Sequence, residues 1–381
     1  MIDEGIPITP ALSHLMGKAR VLSGRDIDAK AVADAEVLLV RSITRVDRHL
    51  LEGSKVRFVG SATAGTDHID TGALAQMGVA WAAAPGSNAL AVVEYVLSAI
   101  ALSGFLPRVL NGLPVGIVGL GEVGTRLAKR LQQLGCAVLA YDPLIKDWPD
   151  NVVRASLTDV LCQPVVSLHA SLHRQSRHPS HGFLDLKQAA CVAQAAERRG
   201  MGLFINAARG ELLTPEALTR LLASPLTVIL DTWPGEPVLS HAVLSGAAWV
   251  SPHIAGHSLD AKVRGSNMLA LALARWAGEE GYPLPTDFSS LSAEGHMLED
   301  RCGGTDAMAW AADFLVNQGT LGREDARIRA LGSGALSASD FDELRKTYQQ
   351  PSEWSGRAIR IPSGAPELRE VASRLGLNVL E

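Results

Sequence analysis

The sequence predicts an α/β protein built on a parallel, doubly wound sheet. Three observations carry this. Residues 115–142 read as strand, glycine turn, helix, strand and acid. Short apolar runs follow at 165–168, 202–205, 227–230 and 249–251, separated by longer stretches of helical character. Each run ends in a polar or glycine-containing loop, and parallel sheets present their ligand-binding groups at those strand ends.

The glycine turn comes first because it fixes the cofactor. After the apolar run 115–118 comes Gly119-Leu120-Gly121-Glu122-Val123-Gly124, a GxGxxG. Val123, Leu127, Leu131 and Leu134 then recur on one helical face, Gly135 ends the helix, and 137–141 reads as a second strand. Gly119 permits a tight turn, Gly121 lets the backbone approach a pyrophosphate, and Gly124 lets helix and strand pack closely. The helix N-terminus offers free N–H groups and a positive dipole end to phosphates. Asp142, eighteen residues after Gly124, is placed to accept hydrogen bonds from a ribose 2′-hydroxyl and to repel a 2′-phosphate. The expected cofactor is therefore NAD rather than NADP.

Ahead of this turn, residues 1–88 read as a small α/β unit. Its strands, at 36–40, 56–59 and 79–83, run into Arg41-Ser42, into residues 60–68, and into Pro85-Gly86. Almost no apolar run precedes Asp3, so the first strand of such a unit is expected to be missing or truncated. Residues 88–105 read as a long helix, and the apolar stretch 89–106 carries Glu94, Tyr95 and Gly104, which favours a buried helix over a membrane span. Residues 170–182 form a loop rich in His and Arg, either a solvated insertion or a basic loop near cofactor phosphates. Thr214-Pro215-Glu216 supplies a cap, a first-turn proline and an early acid, which starts a helix. A helix over 261–276 is expected to return the chain to the first unit, with a linker at 281–285. The remainder is a separate region with glycine and serine breaks at 303–304 and 332–339 and a charged helical stretch at 340–348.

Composition bounds the function. A chain of 381 residues suggests two or three domains, and a net charge of −5 gives no case for nucleic acid or an anionic membrane. The cysteines, Cys136, Cys162, Cys191 and Cys302, have no ligand spacing and read as reduced, cytoplasmic residues rather than disulfides. The N-terminus lacks the basic and then apolar pattern of an export signal. His169, His173, His178 and His181 lack the spacing of a metal site, and no metal is expected.

Three groups at strand ends can oxidise a 2-hydroxy acid: Arg209, Glu236 and His253. A histidine suits proton transfer from the alcohol as hydride leaves C2. A carboxylate on its other ring nitrogen fixes the tautomer and stabilises the imidazolium. An arginine grips the substrate carboxylate in two places and polarises the C2 oxygen.

The segments 206–210, 231–237 and 252–256 resemble the signature blocks of the D-isomer-specific 2-hydroxyacid dehydrogenases. The stretches 40–46, 62–68, 84–95, 341–346 and 353–355 narrow the resemblance to the erythronate-4-phosphate dehydrogenases within that family. The resemblance implies a flavodoxin-like, substrate-binding lid domain (1–88 plus 257–285), a Rossmann-type NAD domain (89–256) and a C-terminal α+β dimerisation domain (286–381), with the active site in the cleft between the first two. It implies a cytoplasmic homodimer that oxidises 4-phospho-D-erythronate at C2 with NAD, a step of pyridoxal 5′-phosphate biosynthesis. Arg209, Glu236 and His253 would be catalytic, with His253 the proton donor or acceptor. Ser42 and Thr63 would bind substrate, with Arg41 a candidate for its phosphate and His257 standing where relatives carry a substrate-contacting tyrosine. The glycine turn with Glu122 and Val123, then Asp142, Ala207, Ala208, Asp231 and Gly256, would contact NAD. Ala170 would line the same site, although relatives carry a threonine there; Ser171 is its neighbour. Arg345 and Lys346 read either as a charged helix face or as phosphate ligands across the dimer. The alternatives are a dehydrogenase for another small 2-hydroxy acid, of hydroxypyruvate or 3-phosphoglycerate type, and a non-catalytic NADH-sensing protein of the same fold.

Overall fold

The computed structural model describes residues 1–16, 19–280, 298, 306–332 and 334–380. By spatial contact the chain forms two compact units, Met1–Asn88 with His257–Glu294, and Ala89–Gly256 with Gly295–Glu381.

In the first unit five parallel strands lie in the order β2-β1-β3-β4-β5: β1 (Ile2–Asp3), β2 (Val21–Leu22), β3 (Val37–Val40), β4 (Phe58–Ser61) and β5 (Ala80–Ala82). The expected first strand is therefore present, shortened to two residues and set inside the sheet. The backbone supplies what its length lacks: the Met1 ammonium donates to Val37 O at 2.7 Å, and Leu39 N donates to Met1 O at 3.0 Å. Helices α1 (Pro10–Met16), α2 (Ala29–Val32), α3 (Arg48–Leu51) and α4 (Thr71–Met77) connect the strands. Asp28, Asp47 and Asp70 cap the last three by accepting a backbone N–H three residues on, each worth about 1 kcal/mol. Leu38 and Val40 face one buried cluster with Val32 and Leu74, while Leu39 faces another with Leu12, Phe58, Leu269 and Leu273. Adjacent strand residues point to opposite faces and both faces are covered, so β3 is apolar throughout.

The second unit opens with α5 (Ala89–Leu102) and α6 (Leu106–Leu110). Its sheet and helices then alternate: β6 (Val115–Val118), α7 (Glu122–Gln133), β7 (Val138–Tyr141), β8 (Val153–Arg154), α8 (Leu157–Leu161), β9 (Val165–Leu168), α9 (Leu186–Arg199), β10 (Leu203–Asn206), α10 (Pro215–Leu222), β11 (Thr227–Leu230), α11 (His241–Gly246) and β12 (Trp249–Val250). All pairings are parallel, in the order β12-β11-β10-β9-β6-β7-β8. Strand order reverses between β6 and β9, and that switch point is where such sheets bind ligands. The edge strand β8 left no sequence signal because both its residues are exposed.

Helix α12 (Leu259–Glu279), capped by Ser258, belongs to the first unit and supplies Leu269 and Leu273 to its core. The C-terminal region contains α13 (Ala307–Gln318), α14 (Leu321–Arg329), α15 (Ala338–Lys346), β13 (Ala358–Arg360), α16 (Pro366–Arg374) and β14 (Asn378–Leu380), the two strands pairing in parallel. It shares one buried cluster with α5: Val93, Leu97 and Ile100 meet Trp310, Phe314, Leu315 and Trp354. Glu94 is sealed into that contact, accepting from Trp354 N at 3.0 Å and Ser355 N at 2.8 Å. Burial pushes its carboxyl up to about 8. The expected linker at 281–285, the break at 303–304 and Cys302 lie outside the described residues. Cys136, Cys162 and Cys191 are free thiols, and among the described residues no helix is long and apolar enough to cross a membrane.

Candidate active site

Close backbone approach dictates the glycine turn. Gly119 has φ 94°, and a β-carbon there would lie 2.5 Å from Ala170 N. A β-carbon on Gly124 would lie 1.9 Å from Gly119 O, so α7 reaches β6 only with glycine at that position. Gly121, the N-cap of α7, meets nothing within 4 Å, which leaves the helix N-terminus open to an anion. Val123 packs toward the core, whereas the Glu122 side chain is exposed and pairs with Arg126.

Asp142 is bound to this turn rather than hanging free at a strand end. Its Oδ2 accepts from Leu120 N at 2.7 Å, and its Oδ1 accepts from Leu144 N at 2.8 Å and Ile145 N at 3.1 Å. A cavity of about 300 Å³ opens beside it, lined by Gly119, Tyr141, Asp142, Ala170 and Ser171. The His- and Arg-rich loop is no free insertion: His173, Arg177 and His178 line this cavity too. Ser180 folds the loop back, donating to Ser171 O at 2.6 Å and accepting from His173 N at 2.7 Å. His169 turns inward to Ser167 Oγ at 2.8 Å, and burial lowers its pKa to about 3, so it is a neutral core residue.

Arg209, Glu236 and His253 follow β10, β11 and β12, three consecutive neighbours in the sheet. Sequence distance hides this proximity and the sheet creates it. Nδ1 of His253 lies 2.9 Å from Glu236 Oε2, and Glu236 Oε1 accepts from Trp233 N at 2.9 Å. Both carboxylate oxygens are thus fixed, and the imidazole is held with Nδ1 toward the acid and Nε2 turned away. Both side chains are only partly covered, at 34% and 21% exposure, as groups meeting a small ligand must be. Arg209 lies on the loop braced by Asn206, which donates to Arg209 O at 3.1 Å and accepts from Ala208 N at 3.2 Å. A β-carbon on Gly210 would lie 1.9 Å from Trp233 O, so the loops after β10 and β11 are packed backbone to backbone.

Asp231 plays a different part from an exposed ligand. Its carboxylate is buried, and Oδ1 accepts from Ser251 Oγ at 2.7 Å and Ile254 N at 2.8 Å, while Oδ2 accepts from Ala255 N at 3.0 Å. Burial raises its pKa, opposed by the nearby His253 and by these donors. Tyr95 OH lies 2.7 Å from Ser251 Oγ, extending the chain into α5. The carboxylate thereby shapes the loop that carries His253.

The model of the NAD binding domain of D-isomer specific 2-hydroxyacid dehydrogenases matches residues 100–255. Erythronate-4-phosphate dehydrogenase of Pseudomonas entomophila (strain L48) is 39% identical over 385 residues, covering 99% of this chain and 98% of the relative. The chain belongs to the erythronate-4-phosphate dehydrogenase family. A relative of the same name from Yersinia enterocolitica is 35% identical, covering 99% of this chain and 98% of its own. Among solved structures, D-lactate dehydrogenase from Aquifex aeolicus, complexed with NAD and lactic acid, superimposes with a TM-score of 0.58 at 19% identity, over 74% of this chain and 95% of that one. The TT0316 protein from Thermus thermophilus gives a TM-score of 0.59 at 23% identity, over 74% of this chain and 97% of that one. Both share the fold.

The remaining candidates lie in the first unit, apart from Arg345 in the second. Thr63 Oγ1 donates to Gly65 O at 3.0 Å and lies 2.8 Å from Ser61 Oγ, which is 2.9 Å from His68 Nε2. Ser42 is exposed on the turn after β3. Arg41 pairs through Nε with the buried Asp3 at 2.8 Å, leaving its terminal nitrogens for another ligand. His257, half-buried, directly precedes the Ser258 cap of α12. Arg345 donates to the backbone oxygen of His253 at 2.9 Å, within the same chain. Sequence reasoning missed the bracing parts of Ser251, which bonds the Asp231 and Tyr95 side chains, and of Asn206, which holds the Arg209 loop backbone, since such residues have no motif of their own; it singled out Arg345 without its bond to the His253 carbonyl.

Proposed function

We propose that the protein oxidises 4-phospho-D-erythronate at C2 with NAD, giving 2-oxo-3-hydroxy-4-phosphobutanoate and NADH, and that it works as a dimer. The observation that carries the reaction type is the His253–Glu236 pair. The near full-length similarity to erythronate-4-phosphate dehydrogenases supports the substrate.

NAD fits the residues present: the α7 N-terminus is open at Gly121 for a pyrophosphate, and Asp142 borders a cavity for the adenosine end. NAD supplies the acceptor for the hydride leaving C2. His253 does the proton work. With Nδ1–H donated to Glu236, Nε2 carries the lone pair and takes the C2 hydroxyl proton as the carbonyl forms. The Glu236 carboxylate stabilises the resulting imidazolium. Arg209 grips the substrate carboxylate and holds the C2 oxygen toward His253. Ser42, Thr63 and His257 bind the substrate around its C3 hydroxyl, and Arg41 takes the phosphate. Asp142 accepts from the ribose hydroxyls and repels a 2′-phosphate, while Ala170, Ala207, Ala208 and Gly256 meet the cofactor through backbone and small side chains. Asp231 acts by shaping the His253 loop.

The test is NADH formation from NAD with 4-phosphoerythronate, beside D-3-phosphoglycerate, D-glycerate and hydroxypyruvate reduction. Turnover confined to 4-phosphoerythronate and abolished in His253→Ala is expected. Preference for another acid removes the substrate while keeping the reaction type. Tight NADH binding without turnover of any acid favours the sensing protein. Light scattering reads the dimer.

A further inference from the structure

The loop carrying His253 adopts an unfavourable backbone. His253 has φ 55°, a left-handed conformation that costs a residue with a β-carbon about 1–3 kcal/mol and persists only where the surroundings fix it. Its N–H is fixed from within the sheet region, donating to Asp231 O and Ser251 O, both at 2.9 Å. Its carbonyl is fixed by the C-terminal region. Arg345 Nη1, in α15, donates to His253 O at 2.9 Å and to Pro252 O at 3.4 Å.

The same helix reaches the other half of the pair. Phe341, one turn before Arg345, meets Trp233 edge-on at 5.8 Å and 85°, and Trp233 N–H is the group that holds Glu236 Oε1. The Arg345 guanidinium lies over the Phe341 ring at 5.3 Å, joining the two supports. Helix α15 is itself tied down at both ends. Leu336 and Leu239 exchange backbone hydrogen bonds at 3.0 and 2.9 Å, and Arg327 donates to Thr347 Oγ1 at 2.6 Å. Helix α14 adds a third hold where Asp325 Oδ1 accepts from Val250 N at 2.9 Å, just before the His253 loop.

We propose that α15 is the outer scaffold of the reacting pair and that Arg345 is a positioning residue, setting the His253 ring against Glu236 by capping the carbonyl of its strained residue. This rests on His253 being the proton acceptor. A charged guanidinium bonded to a carbonyl does this better than a neutral donor, since such bonds are shorter and roughly twice as strong.

The experiment compares wild type, Arg345→Met, Arg345→Lys and Arg327→Met by NMR of the full chain with ¹⁵N-labelled histidine. His253→Ala assigns the downfield Nδ1–H resonance of the hydrogen bond to Glu236. Expected is loss or broadening of that resonance in Arg345→Met, partial recovery in Arg345→Lys, and a weaker broadening in Arg327→Met, which frees the Thr347 end of α15 while leaving the Arg345 bond to the His253 carbonyl in place. In turnover, kcat should fall at least about tenfold in Arg345→Met, with a larger primary deuterium isotope effect from C2-deuterated 4-phosphoerythronate and NADH affinity within about twofold. Should Met cost the fold, Arg345→Lys reads the same resonance alone. An intact resonance with kcat within about twofold overturns the proposal. So does a raised KM for 4-phosphoerythronate at unchanged kcat, which would make Arg345 a phosphate ligand. The resonance needs no substrate, so a wild type inactive on 4-phosphoerythronate would sink the proposed function and leave the positioning result standing.

Discussion

Glu236 joins two loops through a single carboxylate: Oε1 takes the Trp233 N–H of its own turn, and Oε2 lies 2.9 Å from Nδ1 of His253 on the next strand's loop. The acid is oriented before it orients the base. Glu236→Gln keeps the size but offers an amide that cannot stabilise an imidazolium. We expect kcat to fall by about 10²–10⁴-fold, with NADH affinity preserved, as read by steady-state kinetics and fluorescence titration. A loss below about fivefold would show that the pair does not act in the chemistry.

Asp142 braces the glycine turn and borders the cavity, so its replacement should show in both. Asp142→Ala removes the acceptor for Leu120, Leu144 and Ile145 N–H. We expect a KM for NAD raised at least about tenfold and a narrowed preference over NADP, because the repelling carboxylate is gone. Unchanged discrimination between the two cofactors would remove Asp142 from the ribose site.

Gly210 tests the packing of the loops after β10 and β11. Its missing β-carbon would sit 1.9 Å from the backbone oxygen of Trp233, where no side-chain rotation can relieve the clash. Gly210→Ala should displace the Trp233 turn and with it Glu236, lowering kcat/KM by about 10². A variant with wild-type kinetics would show that the turn can move without consequence.

Ser251 bridges Tyr95 OH and Asp231 Oδ1 inside the protein, at 2.7 Å to each. Ser251→Ala leaves a buried hydroxyl unpaired and a buried carboxylate short of a donor. Urea unfolding should show a loss of about 1–3 kcal/mol. Adding Tyr95→Phe should return part of it, since the unpaired hydroxyl is then gone; strict additivity of the two losses would break the proposed chain.

Glu94 makes stability depend on pH. Its carboxyl is raised by burial from 4.5 to about 8, against the opposing pull of the Ser355 and Trp354 donors. Below 4.5 both folded and unfolded chains hold the proton. Between 4.5 and about 8 the unfolded chain releases it and the folded chain retains it, so the unfolded state gains and stability falls as pH rises. Above that window the loss is complete. Glu94→Gln should flatten the slope of unfolding free energy between pH 4.5 and about 8, while Asp231, raised in the same direction, contributes equally to both proteins. An identical slope would mean that Glu94 is already ionised in the fold.

Much of the architecture was legible because the elements announce themselves locally. β6, β9 and β11 begin and end where the apolar runs do, and α10 starts at its Thr214 cap. Elements without local contrast were not legible. β8 is exposed on both residues, and β1 is two residues long and stands because Met1 bonds to β3. The basic loop 170–182 gave no sign of its place, since the Ser180 bonds that turn it onto the cavity join backbone groups through one ordinary serine.

The sequence by itself determined the chemistry available. It contains the glycine turn, the acid after β7, and an arginine, a glutamate and a histidine each on a loop that follows a strand, because side-chain type and the place of a loop after a strand are both local properties. Tertiary structure decided which of these act on one another. Only the order of the sheet brings the loops after β11 and β12 together, turning Glu236 toward His253 and Asp231 away into the interior. Only the return of the chain far downstream sets Arg345 on the His253 carbonyl. Hydrogen bonds act over about 3 Å, and that proximity is made by packing between residues that the sequence keeps far apart.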